Sequence, residues 1–229
     1  MNKKLICGDI GGTKTLLQLV EITDDNGQER LIRHYHSADF TSFSEILRDF
    51  LSQAGISNQP HAACFAVAGP ITGQQVALTN LSWQFSSASL SAEFSIPAVK
   101  LLNDFEAIAL AIEHVPSSDL LTLQAGQTHP QATRVVLGAG TGMGVAWLAW
   151  LHDRYHALPT EAGHMDFAPV DPLQVRLLES LQHRLGHVSV ERLLSGSGLT
   201  NIFKFLQQND GGNFQPVPVE LEEDSGAAI

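Results

Sequence analysis

Residues 8–14 read Gly-Asp-Ile-Gly-Gly-Thr-Lys and bring together the groups that grip a phosphate. Glycines let backbone amides approach an anion closely, Thr13 and Lys14 add a hydroxyl and a positive charge, and Asp9 offers an oxygen for a hard cation. Gly11 and Gly12 form the turn itself. The Walker pattern is excluded, because the residue before Lys14 is Thr13 rather than glycine. The dinucleotide fingerprint is excluded as well: it needs a glycine turn that opens a helix, and Thr15, Leu16, Leu17, Gln18, Leu19, Val20 has the composition of a strand. Read alone, the segment suits a plain hairpin turn equally well.

A second glycine cluster repeats the theme. Val135, Val136 and Leu137 lead into Gly138, Gly140, Gly142 and Gly144 at alternate positions around Thr141, and an apolar strand over 145–151 follows. Two glycine hairpins at corresponding places in two half-chains predict two lobes, their turns facing one another across a cleft. Gly140 and Thr141 would then grip the same polyphosphate from the other side.

Two polar clusters lie among these runs. Asn103 and Asp104 follow Leu101 and Leu102, which places a carboxamide and a carboxylate at the end of a buried strand, a frequent location for function in α/β proteins. Asp104 would serve equally as the cap of a helix starting at Glu106. Farther on, Glu161, His164 and Asp166 crowd around Gly163, and Glu191 stands between Val190 and Arg192. Carboxylates accept hydrogen bonds from paired hydroxyls and a neutral imidazole donates or accepts, so these groups suit a polyhydroxylated ligand. A metal site made of His164, Glu161 and Asp166 is the rival reading, ranked lower because the spacing matches no helical zinc pattern. His152, His156, His183 and His187 read as surface or structural residues.

The elements that must position these groups alternate in type. Strands are expected at 4–10, 13–22 and 30–36, then a helix over 43–54 with Ser42 and Glu45 as its capping box. Apolar runs at 62–68 and 99–102 read as buried strands and 106–115 as a helix, which makes an α/β fold with a mixed sheet. After Pro159 the pattern turns helical. Asp171 and Pro172 cap and begin a helix to about Leu185, and Ser189 opens another that carries Leu193 and Leu194. Residues 207–212 read as a loop and the acidic run 220–224 as a solvated face or frayed end. The second half therefore lacks the later strand and helix units of the first.

With 229 residues, 44% of them hydrophobic and 16% charged, the chain has the makeup of an ordinary folded protein of one large or two small lobes. The formal charge of −11, with basic residues scattered, excludes a nucleic-acid or anionic-membrane surface. Cys7 and Cys64 alone supply no disulfide framework and no four-ligand zinc site, which fits a reducing cytosol. No export signal or membrane-spanning run is present, so a cytoplasmic protein is expected.

The order of motifs resembles the bacterial-type ATP-dependent glucokinases of the actin and hexokinase superfamily. GDIGGTK, AVAGPITG, LTNLSWQFS, LLNDF, GAGTGMGVAWL, LPTEAGHMDFAP and SVERLLSGSGL stand in that family's order and at its approximate spacing, from residue 4 to about residue 205. The resemblance implies a two-lobed actin-like, ribonuclease H-like sugar kinase fold, with lobes at 1–115 and 116–229. It implies Asp104 as the general base toward the sugar 6-hydroxyl, and Asn80, Asn103, Glu161, His164 and Glu191 as sugar contacts. Asp9, Gly11, Gly12, Thr13 and Lys14 match the first phosphate motif, with Asp9 beside magnesium, and Gly140 and Thr141 match the second. The implied reaction converts glucose and ATP to glucose 6-phosphate and ADP, and a homodimer is compatible with it.

Two departures modify that expectation. Ala162 replaces a glycine common before the histidine, and Lys14 stands where close glucokinases often have asparagine; both leave another hexose or an amino sugar open as substrate. Family members also continue beyond residue 229, through a glycine-rich adenosine segment and a final helix. The second lobe is thus expected to be incomplete, and a catalytically silent sugar-binding or regulatory protein without the adenosine site is the alternative of a different class.

Overall fold

The computed structural model describes residues 3–23, 26–55, 59–69, 71–78 and 81–209. It divides into two compact units, Met1–Leu121 and Thr122–Ile229.

In the first unit β1 (Lys3–Ile10), β2 (Lys14–Thr23) and β3 (Asn26–His36) form an antiparallel meander. Helix α1 (Phe43–Ala54) leads to β4 (Ala62–Val67), which lies parallel to β1. A small sheet of β5 (Ile71–Thr72), β6 (Gln75–Ala77) and β7 (Gln84–Ser86) and helix α2 (Ser87–Phe94) precede β8 (Val99–Asn103), parallel to β4, and helix α3 (Asp104–Ala111). The main sheet runs β3-β2-β1-β4-β8, a mixed sheet with β1 at its centre.

Alternation along β1, β2 and β4 puts Ile6, Ile10, Leu17, Leu19, Phe65 and Val67 into one core, where α1 contributes Phe43, Ile46, Leu47 and Phe50 at helical spacing. Phe43 meets Phe65 edge-on with ring centroids 5.0 Å apart. Burial of each such side chain contributes roughly 1.5–3 kcal/mol. Ser42 Oγ accepts the Glu45 amide at 3.3 Å, as the capping box requires. The reciprocal arm differs: the Glu45 carboxylate takes the Thr41 amide at 2.9 Å and the Thr41 hydroxyl at 2.8 Å, one residue before the expected partner.

Some boundaries depart from the pattern reading. Strand β3 begins at Asn26 rather than residue 30, and α3 begins at Asp104 and gives way to a 3-10 turn at Ile112–His114. The small sheet and α2 were not anticipated, because strands of two or three residues carry no measurable period.

The second unit holds the antiparallel meander β9 (Arg134–Ala139), β10 (Met143–Leu151) and β11 (Arg154–Thr160), followed by α4 (Pro172–Leu185) and α5 (Gly196–Asn209). Asp171 Oδ1 caps α4 by accepting the Gln174 amide at 2.8 Å, with Pro172 in the first turn. Strand β11 runs through Pro159, just where a change to helix was expected. Ser189 opens only a 3-10 turn, Val190–Arg192, so Leu193 and Leu194 fall between that turn and α5 instead of on a helix. Leu193 is buried with Leu177, Leu181, Val188 and Phe205. Residues 207–209 end α5 rather than starting a loop, and 210–229, with the acidic run, lie outside the described residues. Among the described residues no helix is long and apolar enough to cross a membrane.

Candidate functional site

The parallel strands β1, β4 and β8 end at one edge of the main sheet, and the polar groups of the first unit gather there. Asp9 lies one residue before the end of β1, opposite Leu16. The Gly11 amide donates to the Lys14 carbonyl at 2.9 Å, which closes a tight hairpin with Gly12 and Thr13 at its tip. Thr13 and Lys14 are exposed. Asp9 remains accessible, yet burial of its carboxyl and, secondarily, the nearby Asp104 carboxylate raise its pKa above the usual value.

Asn103, at the end of β8, resolves the role of its neighbour. Its Oδ1 accepts the Phe105 amide at 3.0 Å and the Glu106 amide at 3.2 Å, while its Nδ2 donates to the Gly69 carbonyl at 3.2 Å. Asn103 is therefore the cap of α3. Asp104 Oδ1 accepts the Phe105 amide at 2.8 Å, and its Oδ2 receives no protein donor among the described residues. One carboxylate oxygen thus stays available at the start of the helix.

The second glycine hairpin is tied into its own unit. The Gly140 amide donates to the Gly142 carbonyl at 2.8 Å, and the Gly140 carbonyl accepts the Gly196 amide at 2.9 Å, where α5 begins. Glu191 Oε2 accepts the Met143 amide at 2.9 Å. A Cβ at position 142 would stand 2.6 Å from that oxygen, so glycine is what admits the carboxylate. Ser195 is buried, donates to the Glu191 carbonyl at 2.7 Å and accepts the Gly198 amide at 3.0 Å.

Glu161 and His164 come together in a 3-10 turn, Ala162–His164, with side chains exposed and 3.8 Å apart. Ala162 is accommodated in that turn, its amide donating to Thr160 Oγ1 at 3.2 Å. Asp166 turns instead to His187, at 2.6 Å, so His164, Glu161 and Asp166 do not form a cluster. Among the described residues no group of three or more His, Cys, Asp or Glu side chains could hold a metal ion. Thr141 is exposed at its hairpin, and Asn80 lies outside the described residues. A cavity of about 520 Å³ bordered by Leu5, Cys7, Cys64, Ala88 and Ser91 contains neither Asp9 nor Asp104.

Sequence reasoning missed Ser37 and Thr15, which brace the first hairpin from inside, and Ser195, which ties the Glu191 turn to the start of α5. Ser37 is 26 residues from Gly11, and no local pattern joins them.

The family model for glucokinase matches residues 6–229. The chain belongs to the glucokinase family. A glucokinase of Nostoc sp. is 43% identical over 206 residues, covering 89% of this chain and 60% of its own length. The glucokinase of Tolumonas auensis is 39% identical over 224 residues, covering 96% of this chain and 68% of its own. The crystal structure of a glucokinase from an Antarctic psychrotroph matches with a TM-score of 0.81 at 33% identity, over 94% of this chain and 67% of that one. The glucokinase of Balamuthia mandrillaris, solved in complex with glucose, shares the fold at a TM-score of 0.64 and 23% identity, over 100% of this chain and 66% of that one. The fold is that of the actin-like sugar kinases. The chain spans 60% of the length of the Nostoc glucokinase.

Proposed function

We propose that this glucokinase-family chain is an ATP-dependent hexose kinase that phosphorylates glucose at its 6-hydroxyl. The observation that carries the reading is the pairing of Asp104 with Asp9 at one sheet edge: Asn103 caps α3, so Asp104 keeps a carboxylate oxygen for a substrate. In this reaction Asp104 accepts the proton of the 6-hydroxyl as that oxygen attacks the γ-phosphorus, and the bond to the bridging oxygen of ADP breaks. Little covalent chemistry is asked of the protein beyond aligning the nucleophile and meeting the phosphate charge.

Asn103, Glu161, His164 and Glu191, with Asn80, are the proposed sugar contacts. Gly11, Gly12, Thr13 and Lys14 offer amides, a hydroxyl and a cation to the phosphates, and Gly140 and Thr141 are the second phosphate contact. The residues fit magnesium, since Asp9 is an accessible carboxylate beside a second negative charge. Magnesium bound with the nucleotide supplies charge neutralisation at the phosphate oxygens. Free thiols at Cys7 and Cys64 accord with a cytoplasmic setting.

The test is ADP release by the purified chain with magnesium and ATP, with and without glucose, beside Asp104→Asn. Glucose-dependent release that disappears in the variant supports the reading. Glucose binding without release by a folded chain would leave a sugar-binding protein instead, and a panel of hexoses and amino sugars reads the specificity that Lys14 and Ala162 leave open.

A further inference from the structure

Ser37 begins the 3-10 turn that follows β3 and is completely buried, as is Thr15 on β2. Among the described residues its amide and hydroxyl bond only to the first glycine hairpin and its strands, while its carbonyl accepts the Phe40 amide that closes its own turn. Its hydroxyl donates to the Gly11 carbonyl at 2.8 Å, its amide donates to the Thr13 carbonyl at 2.9 Å, and its Oγ lies 3.0 Å from Thr15 Oγ1. A serine hydroxyl has one proton, and a carbonyl can only accept. With that proton given to Gly11, the Thr15 hydroxyl must donate to Ser37.

We infer that Ser37 is a positioning residue that fixes which face of the hairpin peptides meets the nucleotide phosphates. In a trans peptide the N–H points opposite to the C=O. Holding the Gly11 and Thr13 carbonyls toward Ser37 therefore turns the Gly12 and Lys14 amides the other way. The Gly12 amide donates to no protein group among the described residues, which leaves it for a ligand oxygen. A Gly-Gly peptide has little steric resistance to flipping, and a flipped Gly11–Gly12 unit would present a carbonyl oxygen where the phosphate needs a donor. The anchored hydroxyl selects the donor-outward state. Its ligand class is the polyphosphate of a nucleotide, and the inference rests on the hexose kinase reading above.

Removing the Ser37 hydroxyl alone would leave Thr15 Oγ1 buried without a partner, a destabilising condition. The double variant Ser37→Ala/Thr15→Val removes both hydroxyls, keeps the packing volume and frees the same Gly11 carbonyl. The experiment measures equilibrium binding of a non-hydrolysable ATP analogue with magnesium, and separately of glucose, to the unaltered chain, Ser37→Ala and the double variant. Thermal melts run alongside, and KM for ATP and for glucose are taken where turnover is present. The expected result is an analogue affinity about fivefold to tenfold weaker in both variants, with glucose affinity unchanged and the rise confined to KM for ATP. Equal analogue affinity in the folded double variant overturns the inference, as does a parallel loss for both ligands, the mark of a merely structural residue. A chain that binds the analogue but releases no ADP with glucose overturns the kinase reading alone, and the affinity ratio still decides the role of Ser37. A chain that binds no analogue overturns both.

Discussion

The Glu191 carboxylate accepts the Met143 amide at 2.9 Å, so a residue assigned to the sugar also holds the backbone that follows the second glycine turn. One side chain would thereby couple two of the proposed ligand contacts within the second unit. Glu191→Ala should weaken glucose binding about tenfold or more and also raise KM for ATP, because a charge-assisted hydrogen bond is lost with the carboxylate. Glu191→Gln keeps an acceptor oxygen and should spare KM for ATP while still weakening glucose. Titration calorimetry with glucose and steady-state kinetics with ATP separate the two effects; a purely sugar-directed loss in Glu191→Ala would refute the coupling.

Asp9 should trade stability for function. Its raised carboxyl pKa means that the folded chain holds this proton more tightly than the unfolded one, so its contribution to stability is present at acid pH and is lost as pH rises through the raised value. Asp9→Asn should therefore be slightly more stable than the unaltered chain at pH 7 in the absence of metal, the gain being small because the group is accessible and screened by solvent. The difference should vanish in acid. Magnesium should raise the melting temperature of the unaltered chain and leave Asp9→Asn unmoved. Urea denaturation at two pH values and melts with added magnesium check both statements.

Position 163 should tolerate no side chain. A Cβ there would sit 2.2 Å from the Met143 carbonyl oxygen, a backbone atom that cannot swing aside. Gly163→Ala is expected to cost about 1–3 kcal/mol and to displace His164. At Gly140 nothing lies within 4 Å of the added carbon, so Gly140→Ala should keep the stability within about 0.5 kcal/mol. Urea midpoints of the two variants give the comparison directly.

The thiols of Cys7 and Cys64 should be slow to react. Burial raises both above the ordinary thiol range, and Cys7 raises Cys64 further, which keeps both protonated at neutral pH. Iodoacetamide labelling of the folded chain at pH 7.5 should run at least about tenfold slower than in urea, and should accelerate only well into the alkaline range. Rapid labelling of the folded chain would contradict this.

The bounds of α1 and α4 were legible because each begins at a side-chain cap and repeats an apolar face, and both hairpin strands carry period-two runs. The placement of Asp9, Gly11, Asn103 and Asp104 was legible as well, since each lies in sequence at a turn or strand end. Division of labour between Asn103 and Asp104 was not: both residues cap helices well, and only the bonds to Phe105 and Glu106 distinguish them. Ser37 was illegible for a different reason. Its bonds depend on the register that sets Lys14 opposite His36, a tertiary fact with no trace in the sequence around residue 37. Strand β11 was obscured by His156 and Pro159, which break its apolar alternation.

Strand β1 runs between β2 and β4, paired on both sides along Leu5–Ile10, and it ends in the glycine turn. Fraying of a sheet starts at its edges, here β3 and β8, and reaches the middle strand last. Deuterium should therefore enter the amides of residues 6–10 only when the whole first unit opens, while the neighbouring tip at Gly12 and Thr13 exchanges freely. The hairpin tip would thus be rooted in the strand expected to exchange most slowly in its unit, so that partial melting of the periphery would leave Asp9 in place.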